Sequence, residues 1–175
     1  MLPNDPQIRY ARCVGVTSLG WKRNLACEMA AGEYIAHWDD DDWSHPDRLA
    51  SQLGSDDFRS ATGMARAREV SGFRQCLFWD EAKLRVHVYT GAPNYVLGTS
   101  LIYRKDWWVG HKFPDKQLGE DNAFVKAARP VLHVEDGLGM MVATTHRNGT
   151  SPRSLDKRHW VPCDRAAIPE DYWNL

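Results

Sequence analysis

The chain has 175 residues, with 22 Lys+Arg against 23 Asp+Glu and a net charge of −1. That length sets one domain with room for a core, and the charge balance argues against a general nucleic-acid or polybasic membrane binder, which needs a cationic face. No apolar run approaches the roughly 20 residues that span a bilayer. The opening MLPNDPQIRY lacks the basic-then-apolar order of a signal peptide. A cytoplasmic protein is expected, with no transmembrane segment. The four cysteines, at 13, 27, 76 and 163, form no CxxC pair. They read as reduced, mostly core residues. The eight tryptophans read first as core and rim packing.

In chain order, IRYARCV at 8–14 alternates like a short strand. Gly20 opens a helix, Trp21 to Ala31, with Trp21, Leu25 and Met29 at helical spacing and Gly32 as its stop. EYIAHW, 33–38, is a mostly apolar buried strand. Asp39, Asp40, Asp41 and Asp42 follow, then Trp43 and a helix start at His45–Leu49, where proline suits the first turn. MARAREV, FRQCLFWD and KLRVHVY read as strands, the last two joined near 80–83 as a hairpin. VLGTSLIYRK, 96–105, reads as one more strand, followed by an aromatic helix over 106–110. A longer helix starts at Gly119-Glu120-Asp121 and ends near Arg129-Pro130. Residues 131–135 and 139–145 read as late strands. The tail from 147, with Gly149, Pro152, Pro162 and Pro169, reads as an irregular arm.

The order helix, strand, acidic loop, helix is an α/β pattern. Ligands of open α/β sheets bind beyond the carboxyl ends of strands, which is where the acid run sits. Adjacent carboxylates a few ångströms apart cost about 1 kcal/mol per pair in water, and more when partly buried. A hard divalent cation offsets this well, and carboxylate oxygens suit Mg²⁺ or Mn²⁺. An EF-hand is excluded, because the sixth position of the loop is not Gly and the twelfth is not Glu.

GWKRNLACEMAAGEYIAHWDDDDWSHPDRL resembles the centre of the family 2 glycosyltransferases of GT-A fold. There a helix with a Lys/Arg-Arg-Asn signature leads through a Gly-Glu-Tyr-Ile-like strand into an Asp-x-Asp motif and a Pro-x-x-Leu helix. GTSLIYRKDWW resembles the acceptor-side strand and aromatic helix. FPDKQLGEDNAFV resembles the Glu-Asp motif that holds the catalytic base. HRNGTSP resembles an element near the domain end. These stand in the family's order from Gly20 to Pro152.

The resemblance implies an α/β, GT-A-like mixed sheet flanked by helices over residues 1–152, with a carboxy-terminal arm over 153–175. It implies transfer of a sugar from a nucleotide-diphosphate sugar, first of all a UDP-sugar, to an acceptor glycan or other hydroxyl, with inversion. Asp41 would ligate Mn²⁺ or Mg²⁺, with Asp39 and Asp40 toward the ribose or metal waters and His146 completing the metal or diphosphate site. Lys22 and Arg23 would border the donor. Asp121 would be the general base, in a helix's first turn where a negative charge is favoured, with Glu120 beside it. Trp107 and Trp108 would line the acceptor side. The family's first strand, helix and second strand, which hold the nucleotide base, find no counterpart in residues 1–19. That leaves open an enzyme that binds its donor differently, a protein completed at an open sheet edge by a second copy or a partner chain, and a non-catalytic module of the same origin. A metal-dependent hydrolase of nucleotide diphosphates would use the same acids.

Overall fold

The computed structural model describes residues 5–54, 68–146, 155 and 159–174. Helix α1, Leu19–Met29, opens at Ser18, whose hydroxyl accepts from the Trp21 amide, and closes at Ala30 in an extended conformation. The expected stop at Gly32 is therefore two residues late. Gly20 has a different use. A Cβ there would collide with the Pro114 carbonyl, so the glycine lets α1 press against the 113–117 loop, and the Gly20 amide donates to the Lys116 carbonyl at 3.0 Å.

The remaining elements are β1 (Tyr34–Ala36), β2 (Trp43–Ser44), α2 (Arg48–Gly54), β3 (Val70–Asp80), β4 (Arg85–Thr90), β5 (Ile102–Arg104), α3 (Lys105–Gly110), α4 (Glu120–Ala128), β6 (Leu132–Asp136), β7 (Met141–Thr145) and β8 (Trp160–Cys163). The eight strands of the described residues all join one mixed sheet, with the path β1-β5-β3-β4-β8 and with β2 and β6 reached through β7 and β3. The axis is β3. It pairs antiparallel with β5 and then β4 along one side, and parallel with β6 and then β7 along the other.

A register shift between Phe73 and Gln75 moves the alternation of β3 by one residue. Phe73 therefore shares a core with Cys76 and Phe78, while Leu77 and Trp79 face the opposite side. A third core, including Cys27, Leu101, Tyr103, Trp108, Phe113 and Phe124, fills the space under α1, α3 and α4. This is the expected mixed sheet flanked by helices.

Three expectations change. Residues 8–14 pair with no strand among the described residues, and Ile8, Tyr10, Val14 and Val16 are exposed; alternation makes a strand only where a neighbouring edge accepts its hydrogen bonds. The strand expected over 96–105 is broken by a 3₁₀ turn at Gly98–Ser100, which leaves three residues of strand. Ser100 fixes that turn by donating to the Leu97 carbonyl and accepting from the Phe73 amide, both at 2.8 Å. The arm is not wholly irregular. Its β8 adds to the outer edge of β4, and Ile168 and Tyr172 pack on Trp43, Trp79 and Val142. The first four residues of the strand expected at 64–70 lie outside the described residues; Val70 opens β3.

No disulfide joins any two of the four cysteines. Cys27 and Cys76 are buried, and Cys13 and Cys163 are half-buried.

Candidate functional site around the acidic turn

The acidic turn joins β1 to β2. At its far end Asp42 is built into the protein. Its Oδ2 accepts from Thr99 Oγ1 at 2.6 Å, and its Oδ1 accepts from the Thr144 amide at 2.9 Å. Thr144 Oγ1 in turn lies 2.9 Å from the Tyr172 hydroxyl, so the carboxy-terminal segment backs the turn. Burial pushes the Asp42 carboxyl up to about 6 despite these two donors, and the neighbouring charges of Asp39 and Asp41 add to the rise.

Asp41 faces outward and meets His146 of the strand-end after β7, with Nε2 and Oδ2 2.8 Å apart. The two residues are 105 positions apart in sequence, and the β2–β7 pairing, Trp43 opposite Val142, brings them together. Asp40 is exposed and Asp39 half-buried. Among the described residues no group of three or more His, Cys, Asp or Glu side chains converges to hold a metal by itself.

Beneath the turn lies a cation that the sequence reading passed over. Arg48 is 1% exposed. Its guanidinium donates to Gln52 Oε1, Ser44 Oγ and the carbonyls of His37 and Thr99, at 2.9–3.2 Å, and lies 4.8 Å from the centroid of the Trp38 ring. Burial lowers its pKa, and Asp42 and Asp39 act against that. A buried positive charge under four carboxylates is a structural answer to their mutual repulsion. The only sequence signal for it is the place of Arg48 six positions after the last of the acids.

The second half of the site is held by a polar chain through the helical core. Arg23 Nε donates to Glu120 Oε1 at 3.1 Å, and its Nη1 lies 2.9 Å from His37 Nδ1. That same Nδ1 is 2.8 Å from the Gly98 carbonyl, and His37 Nε2 is 3.0 Å from the Tyr103 hydroxyl, which contacts Cys27 Sγ at 3.1 Å. One ring nitrogen cannot both accept from a guanidinium and donate to a carbonyl. The tautomer protonated at Nδ1 serves Gly98 and takes the tyrosine proton at Nε2. Burial, then the charge of Arg23, pushes His37 down to about 3, so it stays neutral.

Asn24 completes the lashing. Its side chain bonds both the amide and the carbonyl of Phe113 and accepts from Trp108 Nε1. The Arg-Asn part of the helix signature thus binds the protein's own loop and the first residue of α4.

Asp121 stands half-buried in the first turn of α4, after Gly119 at φ +75°. It rests on Gly98: a Cβ there would lie 2.7 Å from Asp121 Cβ and closer still to its Oδ2. The turn Gly98–Ser100 therefore seats Asp121 with one residue and Asp42 with the next. Gly98, Thr99 and Thr144 were not singled out from the sequence, because a glycine and two threonines in strand-like text carry no signal.

Other expected residues fall elsewhere. Glu120 is 3% exposed and paired to Arg23, so its carboxylate is committed to the fold. Trp108 is 2% exposed and belongs to the core, which corrects its acceptor-side placing: its ring has no open face. Trp107 is half-buried, stacked on His111 and edge-on to Phe124. Lys22 is exposed and lines a groove of about 860 Å³ between residues 6–13 and α1, together with Arg9, Tyr10, Leu25 and Met29. The acids do not line that groove, so the structure does not bring Lys22 to them.

No described helix is long and apolar enough to cross a membrane. No curated protein matches the chain. Residues 1–75, which carry α1, β1, the acidic turn and α2, match the model for Glycosyl transferase family 2, and the mixed sheet flanked by helices fits the GT-A-like fold that this match suggests.

Proposed function

We propose that the protein transfers a sugar, with inversion, from a nucleotide-diphosphate sugar to an acceptor hydroxyl, and that it does so with Mn²⁺ or Mg²⁺. The observation that carries the reading is the Asp41–His146 contact at 2.8 Å, beside an acidic turn inside the family match. A carboxylate oxygen and an imidazole nitrogen suit Mn²⁺, and Mg²⁺ commonly takes one or two carboxylates plus substrate phosphates. Two protein ligands fit a cation that arrives with a diphosphate. When bound, that cation neutralises charge on the departing diphosphate.

The chain's own residues do the rest. Asp121 accepts the proton of the acceptor hydroxyl as that oxygen attacks the anomeric carbon. The bond from that carbon to the diphosphate oxygen breaks with its electron pair on the diphosphate. No covalent enzyme intermediate is needed. Asp42 and Arg48 hold the turn, and Gly98 holds Asp121 against the same frame.

The test is calorimetric titration of UDP into the chain with Mn²⁺ and then with EDTA. Binding should need Mn²⁺, and Asp41→Ala and His146→Ala should weaken it about tenfold or more, as loss of a metal ligand does. Asp121→Asn should bind UDP and transfer no sugar. UDP binding that ignores EDTA would overturn the metal role, and transfer at the parental rate by Asp121→Asn would overturn the base.

A second reading, a partner-completed or non-catalytic module, is favoured by Val14 and Val16, which are 90% and 107% exposed. Exposed apolar groups of this kind mark interaction surfaces when they are contiguous. A monomer by light scattering that binds UDP and transfers sugar would exclude it.

A further inference from the structure

Trp38 is the residue immediately before the acids, and it is 53% exposed. Other exposed large aromatics are placed differently. Trp21 lies on α1, Tyr10 lies in the 5–18 segment, and Trp173 packs edge-on to Trp79 beneath Arg165. Leaving an indole in water next to a binding turn forgoes a large apolar gain, and that gain becomes available when a flat ligand covers it.

The seat of this ring is rigid. Its underlying neighbour is the Arg48 guanidinium, 4.8 Å from the ring centroid, which is held by Ser44, Gln52 and the carbonyls of His37 and Thr99. Thr99 also donates to Asp42. The indole and the acidic turn therefore hang on one frame, and neither must reorganise for the other to be used.

The cation behind the ring also selects the ligand. A guanidinium on one face draws π density toward itself. A sugar's C–H face is held by an electron-rich ring, whereas a planar heterocycle stacks on an indole of either character.

We propose that Trp38 is the stacking platform for the heterocyclic base of a nucleoside diphosphate whose phosphates lie toward Asp41 and His146. This rests on the donor-site reading above and adds the residue that reads the base.

The experiment uses the full chain with Mn²⁺ and two probes, UDP and inorganic pyrophosphate, against Trp38→Phe, Trp38→Leu and Trp38→Ala. Leucine keeps an apolar cover over Arg48 without a π face, which separates stacking from shielding. Thermal unfolding confirms that each variant is folded. Trp38→Leu and Trp38→Ala should bind UDP about tenfold or more weakly, in the range of base–aromatic stacking, while Trp38→Phe stays within about threefold and pyrophosphate affinity is unchanged in all. The fluorescence lost in Trp38→Phe should be the part that UDP quenches and pyrophosphate does not.

Unchanged UDP affinity in Trp38→Leu, with the parent binding UDP, would overturn the platform and leave the donor site standing. Equal losses for UDP and pyrophosphate would also overturn it, because Trp38 would then act on the acidic turn through Arg48. If the parent binds neither probe, the donor-site reading itself fails and takes the platform with it.

Discussion

Gly98 and Asp121 are in such close contact that a methyl group on the glycine would lie 2.7 Å from the aspartate Cβ. The candidate base is thus positioned by an absent side chain. Gly98→Ala should push Asp121 aside or strain the 3₁₀ turn, at a cost of about 1–3 kcal/mol as for other overpacked sites. In an Asp121→Gly background the same substitution should cost less, by about 1 kcal/mol of coupling. Urea unfolding of the four proteins measures this. Additive effects would mean that the contact does not constrain Asp121.

Asp42 gives a pH dependence with a definite sign. Burial pushes its carboxyl up to about 6 in the fold from the ordinary 3.8, so between these values the folded chain holds a proton that the unfolded chain has lost. The stability tied to Asp42 is fully present below about pH 4 and is lost as pH rises through 6, by about 1–3 kcal/mol. Asp42→Asn removes the titration. The difference in unfolding free energy, variant minus parent, should grow toward the variant between pH 4 and pH 7. A flat difference would show that Asp42 is not the titrating group.

Arg48 makes four hydrogen bonds while 1% exposed. Arg48→Met should cost about 3–5 kcal/mol, because carbonyls of two neighbouring segments lose their donor and the acids lose their buried counter-charge. Arg48→Lys should recover little, since an ammonium cannot reproduce the planar fork. Thermal melts read both, and full rescue by lysine would mean that charge alone is required.

Arg23 and Glu120 form a pair with side chains 17% and 3% exposed. Glu120→Gln alone should cost about 2–4 kcal/mol by leaving Arg23 half-buried without its counter-charge. Arg23→Gln with Glu120→Gln should cost less than the sum of the two. UDP affinity of the double variant, once folded, should match the parent. A large loss of UDP affinity would return Arg23 to the donor side.

Local chemistry made much of this protein legible in its sequence. Helix α1, the β3–β4 hairpin, α3, α4 and the two late strands β6 and β7 follow from spacing, caps and turn residues that act over a few positions. The acidic turn was legible for the same reason: four adjacent carboxylates are a local feature whose repulsion demands an answer. What that answer is within the chain was not legible. Arg48 under the turn, Thr99 and Thr144 on Asp42, and His146 on Asp41 come from segments up to 105 positions away, and the β2–β7 and β5–β3 pairings decide who meets.

The same division explains the revisions. Residues 8–14 have the pattern of a strand, but hydrogen bonding to an edge is a property of two segments. Glu120 and Trp108 have the residue types of a binding site, but burial is decided by packing, which leaves them 3% and 2% exposed. The sequence by itself determined the class of chemistry that the turn can support. The tertiary structure decided which carboxylates are anchored and which are free, because anchoring needs partners that only long-range sheet register brings within hydrogen-bond reach.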